Sequence, residues 1–179
     1  MEQSLKISGL HIAVAGRGNV GKSSLINRIA NQELTAVSRN PGTTTDSLSK
    51  AVELLPYGPV VIVDTAGLDD QVNFGNNELN STINSLSHSD FVIIVLDARV
   101  ELIKSEIDLI TFLRKIGTPF LVAVNKIEYG TNPHLLSELD ALEVTYFELS
   151  CKENAGIENF RKKLIHLLPE KKSSFRLKL

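Results

Sequence analysis

HIAVAGRGNVGKSS, residues 11–24, is the stretch whose reading decides the fold. An alternating apolar run over His11 to Ala15 reads as a strand; it breaks at Gly16 and restarts as a helix at Lys22. Between them lies a loop of the form G-x-x-x-x-G-K-S. Gly16 and Gly21 permit backbone conformations closed to residues with side chains, so successive N–H groups turn inward and form a concave anion site. That site sits on the first turn of the following helix, whose unpaired N–H groups and positive dipole end favour a phosphate. Lys22 would then place its ammonium on the second and third phosphates, and the Ser23 hydroxyl would ligate a Mg²⁺ shared with them. Val20 and Ser24 complete the binding set of the loop. A glycine-rich strand-to-helix turn can be only a tight connection with a solvated lysine, but the strand before it and the helix after it supply the context a phosphate loop requires.

Working outward, Ser24 to Asn31 carries Leu25, Ile26 and Ile29 at helical spacing. Residues 35–46, rich in Pro, Gly, Asn and Thr, read as a long functional loop. Leu48 to Leu55 reads as a strand, and PYGP at 56–59 as turn chemistry that closes a hairpin onto the buried run Val60 to Val63. That run ends in Asp64-Thr65-Ala66-Gly67. An acidic residue at the end of a buried apolar strand is costly unless it meets a cation, so Asp64 is expected to anchor Mg²⁺ through water. Gly67 would let its N–H approach the third phosphate.

Residues 68–77 have the polar and glycine content of a loop, and Glu78 to Leu86 reads as a helix. Phe91 to Leu96 and Phe120 to Val124 are further buried strands, separated by a helix over 102–116. Val144 to Leu149 is the last strand and Ile157 to Leu168 the closing helix. Strands alternating with helices at this spacing predict an α/β, three-layer fold: a mostly parallel six-stranded sheet with one antiparallel edge strand and helices on both faces. Ligands of such sheets bind beyond the carboxyl ends of the strands, where every motif above falls. The expected organisation is an N-terminal extension over 1–10, a nucleotide-binding domain over 11–168, and a tail or linker over 169–179.

With 42% hydrophobic and 22% charged residues in 179, the chain falls in the ordinary globular class and is long enough for one substantial core. A formal charge of -2 gives no global pull toward nucleic acid or anionic membrane. Cys151, the one cysteine, excludes an internal disulfide and cannot alone hold an iron–sulfur cluster. No apolar run approaches the roughly 20 residues of a membrane span. The expected location is cytoplasmic, with neither a membrane nor a nucleic-acid partner.

In this order, GRGNVGKS, the threonine-rich loop, DTAG, NKIE and SCK resemble the five signature segments of the translation-factor-like GTPases, over residues 8–168. PGTTTD, Asn19 and the apolar Leu68 after DTAG resemble the TrmE-Era-septin branch. The run ELLPYGPVVIVDTAGLDD, with PGTTTD ahead of it, is similar to the GTPase domain of HydF, the maturation scaffold of di-iron hydrogenases. The resemblance implies GTP or GDP as ligand. It makes Thr44 a switch residue that joins the Mg²⁺ shell and reads the third phosphate. Asn125 and Lys126 would flank the guanine base, Cys151 would offer its N–H to the guanine carbonyl, and Ser150 and Lys152 belong to the same segment.

Two departures qualify the resemblance. The guanine-reading aspartate of the family is Glu128 here, which implies retained guanine selectivity with weaker binding. The glutamate that some relatives use to handle the attacking water is replaced by Asn76, which can orient water but not accept its proton, so turnover is expected to be slow. Glu78 is near enough to substitute if the loop is remodelled. Asn19 matches an asparagine that helps hold K⁺ in the branch, and such enzymes pair face to face as transient homodimers. Arg17 reads as an exposed arginine, or as a partial surrogate for that cation.

The function this implies is a slow GTP-hydrolysing switch domain, as in a hydrogenase maturation scaffold whose partners are the hydrogenase maturation enzymes. The iron–sulfur ligands and dimerisation domain of that family are not found after residue 168, which leaves an excised domain or a stand-alone relative. The alternatives are a guanine-nucleotide-responsive docking module with negligible hydrolysis, and an RNA- or ribosome-associated GTPase of the Era kind.

Overall fold

The computed structural model describes residues 9–31, 48–65, 67–68 and 81–170. Among these residues six strands form one sheet: β1 (Leu10–Ala15), β2 (Leu48–Leu54), β3 (Gly58–Asp64), β4 (Phe91–Asp97), β5 (Phe120–Asn125) and β6 (Tyr146–Leu149). Their order is β2-β3-β1-β4-β5-β6, and every pair is parallel except β2 with β3. This is the sheet expected from the sequence, with β2 as its antiparallel edge.

Among the described residues five α-helices cover it: α1 (Lys22–Asn31), α2 (Ser81–Ser87), α3 (Lys104–Ile116), α4 (Pro133–Ala141) and α5 (Ile157–Leu167). Period-two alternation sorts each central strand between two cores. Ile12, Val14, Phe91, Ile93, Val95, Leu121 and Ala123 face α1 and α5, where they meet Leu25, Ile29, Phe160 and Leu164. Ala13, Ala15, Val92, Ile94, Leu96, Val122 and Val124 face α2, α3 and α4, meeting Leu86, Leu109, Leu113, Leu135 and Leu139. Strands buried on both faces need continuous apolar runs, which is why FVIIVL carries no alternation in its sequence.

Helix α4 has no counterpart in the sequence reading. Its signals are Pro133 in the first turn, Asn132 as a cap whose side chain accepts from the His134 N–H at 3.0 Å, and the buried pair Leu135 and Leu139 one turn apart. The helix read from Glu78 is described from Ser81 onward, and the last strand starts at Tyr146 rather than Val144. Thr44, Asn76 and Glu78 lie outside the described residues.

Phe160 is fully buried on α5, edge-on to Phe147 with ring centroids 6.3 Å apart. Phe160→Ala is expected to lower the unfolding free energy by about 3–5 kcal/mol, since removing a buried ring loses its transfer energy and leaves a cavity. Urea titration followed by circular dichroism measures this.

Candidate functional site

The parallel strands deliver their last residues to one edge. Asp64 pairs in register with Val14, and Asn125 with both Asp97 and Leu149. Each β-to-α connection therefore starts from a fixed point beside its neighbours, and a cleft of about 620 Å³ opens among them. Asn19, Gly21, Lys22, Ser23, Ser24, Asn125, Lys126, Glu128, Cys151 and Lys152 line it together with Tyr129, while Gly16, Val20 and Ser150 of the expected binding set do not.

The phosphate loop is held tightly against strand β4. A Cβ placed on Gly16 would stand 2.3 Å from the Val95 carbonyl oxygen, a contact with main chain that cannot give way. A Cβ on Gly21 would reach 2.3 Å from Asn125 Nδ2. Asn19 adopts a left-handed backbone, with φ of 61°. The Lys22 ammonium donates to the carbonyls of Gly16 and Arg17 at 3.0 and 2.7 Å, bridging the mouth of the loop. Burial pushes its pKa below the usual lysine range, against the raising effect of Asp64. A cation drawn out of water in this way is best relieved by an anion.

Ser23 on the first turn of α1 and Asp64 at the end of β3 meet directly, hydroxyl to Oδ2 at 2.8 Å. The other carboxylate oxygen, Oδ1, is buried and has no hydrogen-bond partner. An oxygen-only donor pair with one lone-pair face unmatched fits a hard divalent cation such as Mg²⁺. Beyond Asp64, the Thr65 hydroxyl donates to the Val14 carbonyl at 2.8 Å and the Leu68 N–H donates to the Gly16 carbonyl at 2.9 Å. Gly67 is thereby laid against the phosphate loop, where an added Cβ would stand 3.1 Å from the Gly18 nitrogen. Leu68 turns into the core beside Ala13, Ala15 and Leu86, so no side chain at that position faces the cleft.

On the other side of the cleft, Asn125 is a buried clamp. Its Nδ2 donates to the Val20 carbonyl at 2.9 Å, and its Oδ1 accepts the Cys151 N–H at 3.0 Å. The N–H expected to read a base carbonyl is thus bonded to Asn125 in this structure, because the β5 and β6 connections leave adjacent strands in register. Lys126 has φ of 74°; its ammonium binds the Asn19 carbonyl and sits 3.0 Å from Asp97 Oδ2. Glu128 lies in a short 3₁₀ turn, and a hydrogen bond from the Ser150 hydroxyl holds its carboxyl below the usual range. Its Oε2 is shielded from solvent without a hydrogen-bond partner. Burial pushes the Cys151 thiol up to about 11, so it is inert at neutral pH.

Two participants escape the sequence reading. Asp97 is buried at the end of β4, where the Arg99 guanidinium, with help from Lys126, holds its carboxyl well below the usual range. Its signal was present: FVIIVLD ends a buried apolar strand in an acid, as GPVVIVD does. Tyr129 accepts a hydrogen bond from the Lys152 ammonium at 3.0 Å, and both Lys152 and Arg99 stand over its ring, 4.9 and 5.5 Å from the centroid. Arg17 corrects the expectation of an exposed side chain or cation surrogate: its side chain is mostly covered and its Nε is bound to the buried Glu106 at 2.7 Å.

Comparison with known proteins agrees with this geometry. The family described as 50S ribosome-binding GTPase matches residues 11–126. The tRNA modification GTPase MnmE of Dechloromonas aromatica is 35% identical over 164 residues, covering 89% of this chain and 35% of that protein. GTPase Der of Campylobacter fetus is 31% identical over 164 residues, covering 90% and 35%. The chain thus spans about a third of the length of these relatives. Among solved structures, an Aquifex aeolicus Era variant bound to GDP and aluminium fluoride superposes with a TM-score of 0.66 at 21% identity, over 94% of this chain and 60% of that one. The G domain of the T. maritima FeoB iron transporter gives 0.63 at 22%, over 88% and 97%. Among the described residues no helix is long and apolar enough to cross a membrane. The chain belongs to the 50S ribosome-binding GTPase family, as a guanine-nucleotide-binding P-loop G domain of the TrmE, Era and Der type.

Proposed function

We propose that residues 11–168 act as a Mg²⁺-dependent GTP switch that hydrolyses its nucleotide slowly. The observation that carries the guanine assignment is Glu128 Oε2, a shielded carboxylate oxygen without a partner in the same cleft as Asn125 and Lys126. The two adjacent N–H donors of guanine match a carboxylate there, whereas adenine presents none in that place.

Ser23 and Asp64 would hold Mg²⁺, with Thr44 as a further ligand from outside the described residues. When bound, the ion neutralises charge developing on the phosphates. Lys22 exchanges the carbonyls of Gly16 and Arg17 for phosphate oxygens. The Gly67 N–H would approach the terminal phosphate. With Leu68 buried in the core, water must be ordered by another group, and Asn76 can orient it without taking its proton. Unassisted turnover is therefore expected on the order of 10⁻⁴ per second or below. Asn19 would help hold K⁺ at the phosphates, making hydrolysis faster in KCl than in NaCl and favouring a transient face-to-face homodimer. Equal rates in the two salts remove the K⁺ assignment, and brisk turnover without a partner removes the slow-switch reading.

The finer identity we propose is the regulatory domain of a HydF-like hydrogenase maturation scaffold. PGTTTD and ELLPYGPVVIVDTAGLDD support it, and it makes hydrogenase maturation enzymes the partners. Affinity purification of the chain loaded with a GTP analogue, from a host co-expressing those enzymes, is expected to retain them. Retention of RNA instead assigns the chain to the Era-like alternative.

Calorimetry with Mg²⁺ tests the core of the proposal. GDP is expected to bind about a hundredfold tighter than ADP, because only guanine satisfies the Glu128 oxygen. Equal affinities overturn the base assignment, and no binding of GDP or GTP at millimolar concentration overturns the function.

A further inference from the structure

Glu106 is fully buried on the first turn of α3, and both of its oxygens are used. Oε2 accepts the Ile103 N–H at 3.0 Å, which caps the helix, and Oε1 accepts Arg17 Nε at 2.7 Å. Arg17, the second residue of the phosphate loop, also donates through Nη2 to the Glu101 carbonyl at 3.2 Å. Among the described contacts, its side chain is what ties the leading half of the loop, residues 16–18, to the start of α3. The trailing half, 19–23, has tethers of its own, Asn19 to Lys126 and Val20 to Asn125, and is joined to the leading half by the Lys22 ammonium on the Gly16 and Arg17 carbonyls.

The leading half is the part that abuts Gly67, through Gly18. A buried ion pair is a weak stabiliser, since its desolvation cost is comparable to its attraction and an apolar pair of similar volume does as well. Its value lies in fixed geometry, here the spacing between Gly18 and Gly67.

We propose that Glu106, acting through Arg17, is a positioning residue for the third phosphate of the nucleotide. This rests on the proposed GTP reading. The pair fixes where Gly18 packs against Gly67, and so how the Gly67 N–H would meet the terminal phosphate, whereas the tethers of Asn19 and Val20 do not involve it. A side chain on α3 that never touches nucleotide thereby discriminates GTP from GDP.

The test is calorimetry of the full chain with Mg²⁺ and either GDP or the non-hydrolysable analogue GDPNP, for the parent, E106Q, R17M and R17K. E106Q keeps the shape and the Ile103 acceptor, and R17M keeps the packing of the stem. Both are expected to weaken GDPNP about tenfold, as for disruption of one coupled pair, with GDP changed by less than about twofold. R17K, which restores a cation opposite Glu106, is expected to recover part of the loss, and R17M/E106Q to be no weaker than the poorer single variant. Equal weakening of both nucleotides, or of neither, overturns the proposal and leaves the GTP reading intact; a parent that binds neither nucleotide removes both. If E106Q fails to fold, R17M decides the outcome, since the Arg17 side chain is already 24% exposed.

Discussion

Lys22→Met is expected to weaken GDP binding by between about thirtyfold and a few thousandfold, while the protein unfolds at the same temperature as the parent or slightly higher. The first effect follows from removing one member of a desolvated charge pair with phosphate, worth about 2–5 kcal/mol. The second follows from the pKa of Lys22, which burial lowers. A lysine with a depressed pKa favours the unfolded chain whenever it is charged. That cost is present in full below the lowered value and disappears only as pH rises toward the unfolded value near 10.5. Methionine keeps the stem and removes the charge. Calorimetry and a thermal melt at neutral pH measure the two together; a variant that binds GDP as tightly as the parent removes Lys22 from the phosphate site.

Asn125→Ala is expected to damage both stability and binding. The residue is buried, and its amide satisfies the Val20 carbonyl and the Cys151 N–H at once. Truncation leaves two buried polar groups unmatched at about 1–3 kcal/mol each, a melting temperature lower by roughly ten degrees in a domain of this size. It also unfastens the phosphate loop from the β6–α5 connection, so GDP affinity should fall at least tenfold by the same free-energy scale. Asn125→Asp retains the acceptor for Cys151 but sets a carboxylate against the Val20 carbonyl, and should bind nucleotide no better than the alanine variant. Wild-type melting and affinity for either variant would show that Asn125 clamps nothing.

The sheet and most of the cleft are legible in the sequence because each depends on a local pattern. Strands buried on both faces announce themselves as runs such as FVIIVL, whereas VVIV buries Val60 and Ile62 and leaves Val61 and Val63 half-buried, and the phosphate loop is a contiguous segment whose glycines answer to a single backbone requirement. Asp64 could be singled out because an acid closing an apolar strand is costly without a partner, and the structure brings the Ser23 hydroxyl to it. Asp97 obeys the same rule, but the same pattern in the strand before α3 carried no neighbouring motif to draw attention to it. Arg17 and Glu106 are 89 residues apart in the chain. Nothing in either neighbourhood indicates that the crossover from β4 brings them together; only the parallel order β1-β4 does so. Helix α4 was missed because its apolar stripe is short, with two buried leucines. The bond from the Cys151 N–H to Asn125 could not be read either, since it depends on Asn125 and Leu149 lying in register on β5 and β6.

The contact between Gly16 and the Val95 carbonyl has a practical consequence for redesign. Because the loop rests on the peptide groups of β4, any set of side chains that preserves the volume and the two-faced burial of that strand leaves the support unchanged. A library randomised over residues 92–96 among apolar residues should therefore yield members with widely scattered melting temperatures and nearly uniform nucleotide affinity. Fold strength and ligand recognition are, at this strand, separately adjustable properties.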